Sequence, residues 1–121
     1  SVSAFLLNRS SDLRLSTFDR LDWYAMHDLT FERPDTDRFR CLALAYESLR
    51  QGGNMPCIVN AANEIVNRAF LDGRCRFLEM PNIIEQTMQR TPFIKTPSYE
   101  DYLATDAEAR RIAAELILPS K

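Results

Sequence analysis

Apolar residues recur at helical spacing from Pro34 onward, and this pattern constrains the fold more than any other feature. These residues form four stripes, and within each stripe an apolar residue recurs about every three or four positions, as on one face of an amphipathic helix. Their members are Phe39, Leu42, Tyr46 and Leu49; Ile58, Ala62, Ile65, Val66 and Ala69; Met80, Ile83, Ile84, Thr87 and Met88; and Ala109, Ile112, Ala113, Leu116 and Ile117. The pattern predicts an all-α fold, a small bundle of four to five helices over residues 34–121.

Glycine, proline and capping residues set the expected ends of these helices. Gly52-Gly53 supplies the left-handed residue that commonly ends a helix, and Pro56 suits the first turn of the next one. Ser98 with Asp101 resembles a capping arrangement, and Thr105 with Glu108 fits the T-x-x-E capping box. The second stripe also takes in Val59 and Phe70, and its width indicates a helix packed on more than one side.

The first 33 residues lack the helical spacing of apolar residues that is seen from Pro34 onward. Residues 1–7 and 29–31 are candidates for short β-strands, whereas residues 8–19 are polar and lack clear helical periodicity. Pro34 disfavours helix at the residue before it. Residues 1–33 are therefore predicted to be an extended N-terminal arm or linker segment. Large apolar side chains in the arm have little to cover them, so we expect self-association through pairing or exchange of the arm. These side chains are Leu6, Leu7, Phe18, Trp23 and Phe31.

The residue inventory excludes several functions. The 121 residues include only three glycines, and their spacing fits no glycine-rich nucleotide-binding motif. They include only one histidine, His27, so a three-histidine zinc site is excluded. The net charge of −2 gives no electrostatic footprint for nucleic acid, and no apolar run approaches the roughly 20 residues of a membrane span. Three widely spaced cysteines favour a reducing compartment, hence a cytoplasmic protein. An autonomous cofactor enzyme is not expected.

The most unusual local sequence is NAANE at residues 60–64, followed by Asn67. Asn60, Asn63 or Glu64, and Asn67 share one helix face, although asparagine is a poor helix former. One interpretation is a polar face that binds a ligand or fixes a neighbouring active-site loop. The other, which we favour, is a packing face of buried amides that satisfy loop carbonyls.

Three further groups contain reactive side chains. His27 beside Asp28 could serve as a base or metal ligand, but a surface or packing histidine is the favoured interpretation. An acidic cluster near the last helix matches no EF-hand spacing, and helix N-termini favour such carboxylates in any case. Its members are Glu100, Asp101, Asp106 and Glu108. Cys41, Cys57 and Cys75 lie near apolar residues and are expected to be buried, inert thiols.

An ordered set of motifs resembles the C-terminal part of the 1-deoxy-D-xylulose 5-phosphate reductoisomerase family. The set begins with LTFERPD at 29–35, LALAYE at 42–47, GGNMP at 52–56 and NAANE at 60–64. It continues with FL at 70–71 and 77–78, YEDY at 99–102 and TDAEARR at 105–111. A single motif such as NAANE is weak evidence for one family, but the whole set in this order and at similar spacing is strong evidence. The resemblance covers about residues 21–117, and residues 1–20 depart from the family's linker.

The resemblance implies a part of a larger enzyme. The family isomerises and reduces deoxyxylulose phosphate to methylerythritol phosphate in non-mevalonate isoprenoid biosynthesis, with NADPH and Mg or Mn. Its chain has a nucleotide-binding domain, a catalytic and dimerising domain, a linker and a C-terminal helical domain. Only the last two resemble this sequence, so the expected partners are the other two domains. No catalytic, cofactor-binding or metal-binding residue is implied here, and the chain alone is expected to be inactive.

An alternative of a different class is a free-standing helical protein-interaction module. It is motivated by the absence from the sequence of a self-sufficient active site. The two hypotheses predict the same fold but different partners: the remainder of a reductoisomerase in the first, an unrelated protein in the second.

Overall fold

The computed structural model describes residues 22–26 and 29–117. The chain divides into two units, Ser1–Glu32 and Arg33–Lys121. Four α-helices lie in the described part of the second unit. They are α1 (Arg40–Gln51), α2 (Met55–Leu71), α3 (Met80–Arg90) and α4 (Tyr99–Ile117), with a 3₁₀ turn at Phe77–Glu79 before α3. The all-α bundle predicted from the apolar stripes is confirmed.

Within the described residues of the first unit, a turn is the only regular feature. The Asp22 carboxylate accepts hydrogen bonds from the backbone N–H groups of Tyr24, at 2.9 Å, and Ala25, at 3.3 Å. Residues 29–31 do not form the strand that the sequence suggested, because a strand needs a partner ladder and the described residues of this unit provide none. The other strand candidate, residues 1–7, lies outside the described residues, and the division at residues 33 and 34 stays a prediction.

Helix α2 is the centre of the second unit and packs against α1, α3 and α4, as the width of its stripe predicted. Ile58, Ala61, Ala62, Val66 and Ala69 are completely buried on it. Ala109 and Ala113 of α4 are also completely buried, and these small side chains allow the two helices to approach closely. No helix in the described ranges is long and apolar enough to cross a bilayer.

Helix α3 agrees with the sequence pattern at every position. Its buried residues are the five members of the predicted stripe, Met80, Ile83, Ile84, Thr87 and Met88. The Thr87 hydroxyl donates to the carbonyl of Ile83 at 2.8 Å, and the Thr91 hydroxyl donates to the carbonyl of Thr87 at the same distance. Both polar side chains are therefore buried without an unmet hydrogen bond.

Helix α1 corrects the prediction, because its buried side is not the predicted stripe. Leu44 and Ser48 face the core, whereas Phe39, Tyr46 and Leu49 are exposed. Helix α1 contacts α2 and α3 at the edge of the bundle, so only a narrow side of it is covered. The wider apolar side is left on the surface of the described chain.

Helix α4 is one continuous helix where the sequence offered two starts. Ser98 and Asp101 cap it reciprocally: Asp101 accepts from the Ser98 N–H at 2.8 Å, and the Ser98 hydroxyl accepts from the Asp101 N–H at 3.2 Å. Thr105 and Glu108, which match a capping box, lie inside the helix. That second start is wrong, because Thr105 is buried and bonded to a residue from α2's amino end.

Candidate functional site

The polar face predicted on α2 is exposed. Asn60, Asn63, Glu64 and Asn67 all lie at the surface of the described chain. The Asn60 amide donates to the Glu64 carboxylate at 3.4 Å, a long contact. Within the described ranges the side chains of Asn63 and Asn67 make no hydrogen bond. These amides therefore do not satisfy loop carbonyls of the described chain, and their use as a packing face stays a prediction.

The buried amide of the domain is Asn54, which the sequence interpretation missed. Asn54 precedes α2 and is 0% exposed. Its Nδ2 donates to the Pro92 carbonyl and to Thr105 Oγ1, both at 3.0 Å, and its Oδ1 accepts from the Ile94 N–H at 2.9 Å. The backbone N–H of Asn54 in turn donates to the Ile94 carbonyl at 3.0 Å. One side chain thus ties the loop after α3 to the start of α2 and to α4.

Gly53 makes this arrangement sterically feasible. Its φ is +56°, and a Cβ placed on it would stand 2.3 Å from the Ile94 carbonyl oxygen. The Tyr102 hydroxyl approaches the Gly53 carbonyl at 3.4 Å. Only glycine combines a left-handed backbone with so close an approach of another chain segment. The signal available in the sequence was the pair Gly52-Gly53 before Asn54, which the helix-ending interpretation explained only in part.

Arg110 joins the polar face to α4. Its guanidinium donates to Asp106, one turn earlier on the same helix, at 2.7 Å, and to Glu64 of α2 at 2.6 Å. The hydrogen bond to Asp106, and next the one to Glu64, raises the pKa of Arg110 above its ordinary value. About a third of the Arg110 side chain is exposed, so water competes with both bonds and the network contributes little stability.

An open groove of about 560 Å³ runs between α1 and α2. Leu42, Leu49 and Val59 form part of its apolar lining, and Asn60 and Asn63 border it. A second groove of about 480 Å³ lies along the outer side of α1 and shares Leu49 with the first. Asn60 and Asn63 of the predicted polar face therefore adjoin the exposed apolar side of α1 in one surface.

The remaining candidates from the sequence do not come together as a site in the described residues. Asp101 caps α4, Asp106 pairs with Arg110, and Glu108 pairs with Arg111. The Arg111 hydrogen bond lowers the pKa of Glu108. No group of three or more metal-binding side chains was found in residues 22–26 and 29–117. The resemblance implies that the family's divalent metal is held by domains other than the helical one. His27 and Asp28 lie outside the described residues.

The three cysteines differ in exposure, which corrects the expectation that all would be buried. Cys75 is buried, Cys57 is half-buried and Cys41 is exposed beside the groove. All three are free thiols. Desolvation raises the pKa of each, with Asp106 and Glu79 contributing at Cys57 and Cys75 respectively. A raised thiol pKa disfavours the reactive thiolate, so none of them has the features of a catalytic nucleophile.

The fold is that of an all-helical domain. Among its described residues, the side chains considered above do not form a catalytic site. The family model described as "DXP reductoisomerase C-terminal domain" matches residues 4–112. The chain belongs to that family, as the ordered motifs indicated. The match begins at residue 4, so the expectation that residues 1–20 depart from the family is wrong.

Several relatives agree with this assignment. The chain is 65% identical over 102 residues to the 1-deoxy-D-xylulose 5-phosphate reductoisomerase of Bacteroides thetaiotaomicron, covering 84% of this chain and 26% of the relative. The reductoisomerase of Dechloromonas aromatica is 48% identical over 97 residues, which cover 80% of this chain and 24% of the relative. The chain thus spans about a quarter of the length of the curated relatives it matches.

A solved structure supports the fold. The chain is similar to the 1-deoxy-D-xylulose 5-phosphate reductoisomerase from Zymomonas mobilis in complex with NADPH, with a TM-score of 0.75 and 41% sequence identity. The match covers 88% of this chain and 28% of the solved chain. The chain therefore resembles about a quarter of the solved Zymomonas chain in fold.

Proposed function

We propose that this chain supplies the helical C-terminal domain of a 1-deoxy-D-xylulose 5-phosphate reductoisomerase. In such an enzyme it would pack against the catalytic and nucleotide-binding domains and help to preorganise the active site, without contributing a reacting group. The observation that carries the proposal is the family match over residues 4–112, joined to relatives about four times as long as the matched segment. The alternative of a free-standing interaction module has no comparable support.

The proposed activity is that of the whole enzyme. It isomerises and reduces deoxyxylulose phosphate to methylerythritol phosphate with NADPH and a divalent metal such as Mg or Mn, early in non-mevalonate isoprenoid biosynthesis. NADPH is present in the similar Zymomonas structure. The described residues of this chain offer neither a metal cluster nor a glycine-rich nucleotide loop. Metal and nucleotide would therefore be held by other domains, and the chain by itself would be inactive.

A chimera tests this proposal. The matching segment of the Bacteroides thetaiotaomicron reductoisomerase is replaced by this chain's 102 aligned residues, and NADPH oxidation is followed with deoxyxylulose phosphate and Mg²⁺ or Mn²⁺. We expect kcat/KM within about tenfold of the relative, a loss of no more than about 1.4 kcal/mol of transition-state stabilisation. The 121-residue chain alone is the control and should give no turnover. A folded chimera without turnover, or turnover by the chain alone, would contradict the proposal.

We further propose a cytoplasmic, dimeric parent enzyme. Three free thiols in one short chain suit a reducing compartment. The dimer is inferred from the family resemblance. Analytical ultracentrifugation of the active chimera should give the mass of a dimer, and a monomeric active species would overturn that part of the proposal.

Self-association of the 121-residue chain is a separate proposal. It rests on the apolar side chains that the sequence places in residues 1–33, including Trp23 and Phe31. Sedimentation equilibrium should show a mass that rises with concentration. A single monomeric species over a wide concentration range would count against it.

A further inference from the structure

Two surfaces of the helical unit expose large apolar side chains. We call the first the groove surface. It comprises the exposed Tyr46 and Leu49, the half-buried Leu42 and Val59, and the exposed amides Asn60 and Asn63. The second is the aromatic patch: Phe70, Leu71, Phe77 and Leu78. Leu49 is 69% exposed and Leu71 is 72% exposed. Exposure alone therefore does not distinguish the two surfaces, and scattered apolar residues at a surface need no special explanation.

Shape distinguishes the groove surface from the aromatic patch. Leu49 borders both grooves of α1, of about 560 and 480 Å³, so an apolar side chain from a partner could insert on either side of it. In the aromatic patch, Phe70 and Phe77 pack edge to face against each other with ring centroids 5.9 Å apart. Part of that patch is therefore already covered by its own members.

Chemistry points to the same surface. Asparagine lowers helix stability by roughly 0.6 kcal/mol relative to alanine, and Asn63 gains no hydrogen bond in return from the described residues. An apolar centre with a polar rim is the usual arrangement of a protein interface. Amides suit such a rim because they can both donate to and accept from the backbone of an opposing segment. Asn60 and Asn63 stand at that edge.

The relatives identify the occupant. The chain spans 26% of the Bacteroides relative and 28% of the solved Zymomonas chain, so about three quarters of each of those proteins lies outside the matched segment. We propose that the groove surface is the face by which this domain packs on the remainder of a reductoisomerase chain, with Leu49 at its centre and Asn60 and Asn63 at its edge. This inference rests on the proposed function and adds which surface is used.

Cys41 is a native probe of the groove surface, because it is exposed and lines the groove. Its rate of alkylation by a maleimide is measured by peptide mass spectrometry in the 121-residue chain and in the active chimera at the same pH. We expect labelling about tenfold slower or more in the chimera, because a covered thiol reacts only after local opening. A Leu71→Cys variant of each protein is the matched control, and its added thiol should react equally fast in both.

Each outcome of this labelling experiment either supports or contradicts the assignment of the groove surface as the packing face. Equal rates at Cys41 in the chain and in an active chimera overturn the inference and leave the proposed function standing. Slow labelling in the 121-residue chain itself also overturns it, because the groove would then be filled by the chain's own remaining residues or by a second copy. An inactive chimera is instead a failure of the proposed function.

A pair of substitutions gives an independent test. Leu49→Glu and Leu71→Glu each place a charge at a similarly exposed leucine, one on the groove surface and one on the aromatic patch. In the chimera we expect Leu49→Glu to lower kcat/KM about tenfold or more, and Leu71→Glu to leave it within about twofold. Thermal melting of the 121-residue chain with each substitution should match that of the parent sequence. Equal losses from both substitutions, or none from Leu49→Glu, would overturn the inference.

Discussion

Two asparagines only nine positions apart in the sequence, Asn54 and Asn63, differ in burial and in hydrogen bonding. Asn54, just before α2, is buried and makes three side-chain hydrogen bonds to groups that are distant in sequence. Asn63, on α2 itself, is exposed and makes none with the described residues. The first amide therefore holds the domain together, whereas the second is available to something outside it.

The difference shows that residue type alone does not reveal the role of a polar group. A buried amide stabilises a fold when every donor and acceptor is satisfied, and it destabilises the fold strongly when a partner is removed. An exposed amide in a helix slightly disfavours that helix. The two asparagines should consequently respond to the same substitution with opposite signs, which is the basis of the following predictions.

Asn54→Ala should have the largest effect. The substitution leaves the Ile94 N–H, the Pro92 carbonyl and the Thr105 hydroxyl without their partner, and partial access of water limits the loss. We expect the free energy of unfolding to fall by about 4 kcal/mol, measured by urea denaturation of the 121-residue chain. Asn63→Ala is the matched control on the exposed side. A loss below about 1 kcal/mol for Asn54→Ala would remove the contrast between the two residues.

Gly53→Ala should have the next largest effect. The new Cβ would collide with the Ile94 carbonyl oxygen at 2.3 Å in a backbone with φ of +56°. Gly52→Ala is the control, because φ there is +68° but nothing lies within 4 Å of the place that its new Cβ would take. We expect losses of about 3 and about 1 kcal/mol respectively, again from urea denaturation. Equal losses would mean that φ, rather than the contact between Gly53 and the loop, sets the requirement.

Removing amides from the polar face should stabilise the isolated chain. Asn63→Ala with Asn67→Ala replaces two poor helix formers with the best one, and no hydrogen bond within the described chain is lost. We expect a gain of about 1 kcal/mol in the free energy of unfolding. Thermal or urea denaturation measures it, with Asn82→Ala, at an exposed position of α3, as a control for a single exposed asparagine. A loss of stability would show that these amides already have partners in the chain.

The sequence predicted the helices well where packing follows local spacing. The stripe of α3 is buried in full because that helix has a single apolar side. On α1 apolar side chains occur on two sides, and spacing cannot tell which one faces α2 and α3. The buried choice, Leu44 with Ser48, depends on tertiary contacts.

The candidate site could be predicted only in part for the same reason. The polar face was recognised from Asn60, Asn63 and Asn67, because helical spacing places them together. The role of Asn54 depends on Thr105 and on the loop after α3, which are far away in sequence, and no local pattern encodes such a bond. Thr105 illustrates the converse, since its match to a capping box is local and its actual partner is Asn54.

The smallest expected effect concerns the ion pair beside the polar face. Arg110 and Glu64 are 2.6 Å apart, closer than any atom pair around Asn54, but their side chains are 34% and 53% exposed. Water and salt weaken an exposed pair. A double-mutant cycle of Glu64→Gln and Arg110→Met should therefore give a coupling of about 0.5 kcal/mol that declines as NaCl is added. The same cycle with Asn54→Ala and Thr105→Val is the buried control and should be larger and insensitive to salt. A strong, salt-insensitive coupling for the charged pair would mean that water does not reach this pair in the 121-residue chain. The polar face would then already be covered, and the contrast between an exposed polar face and the buried Asn54 would be wrong.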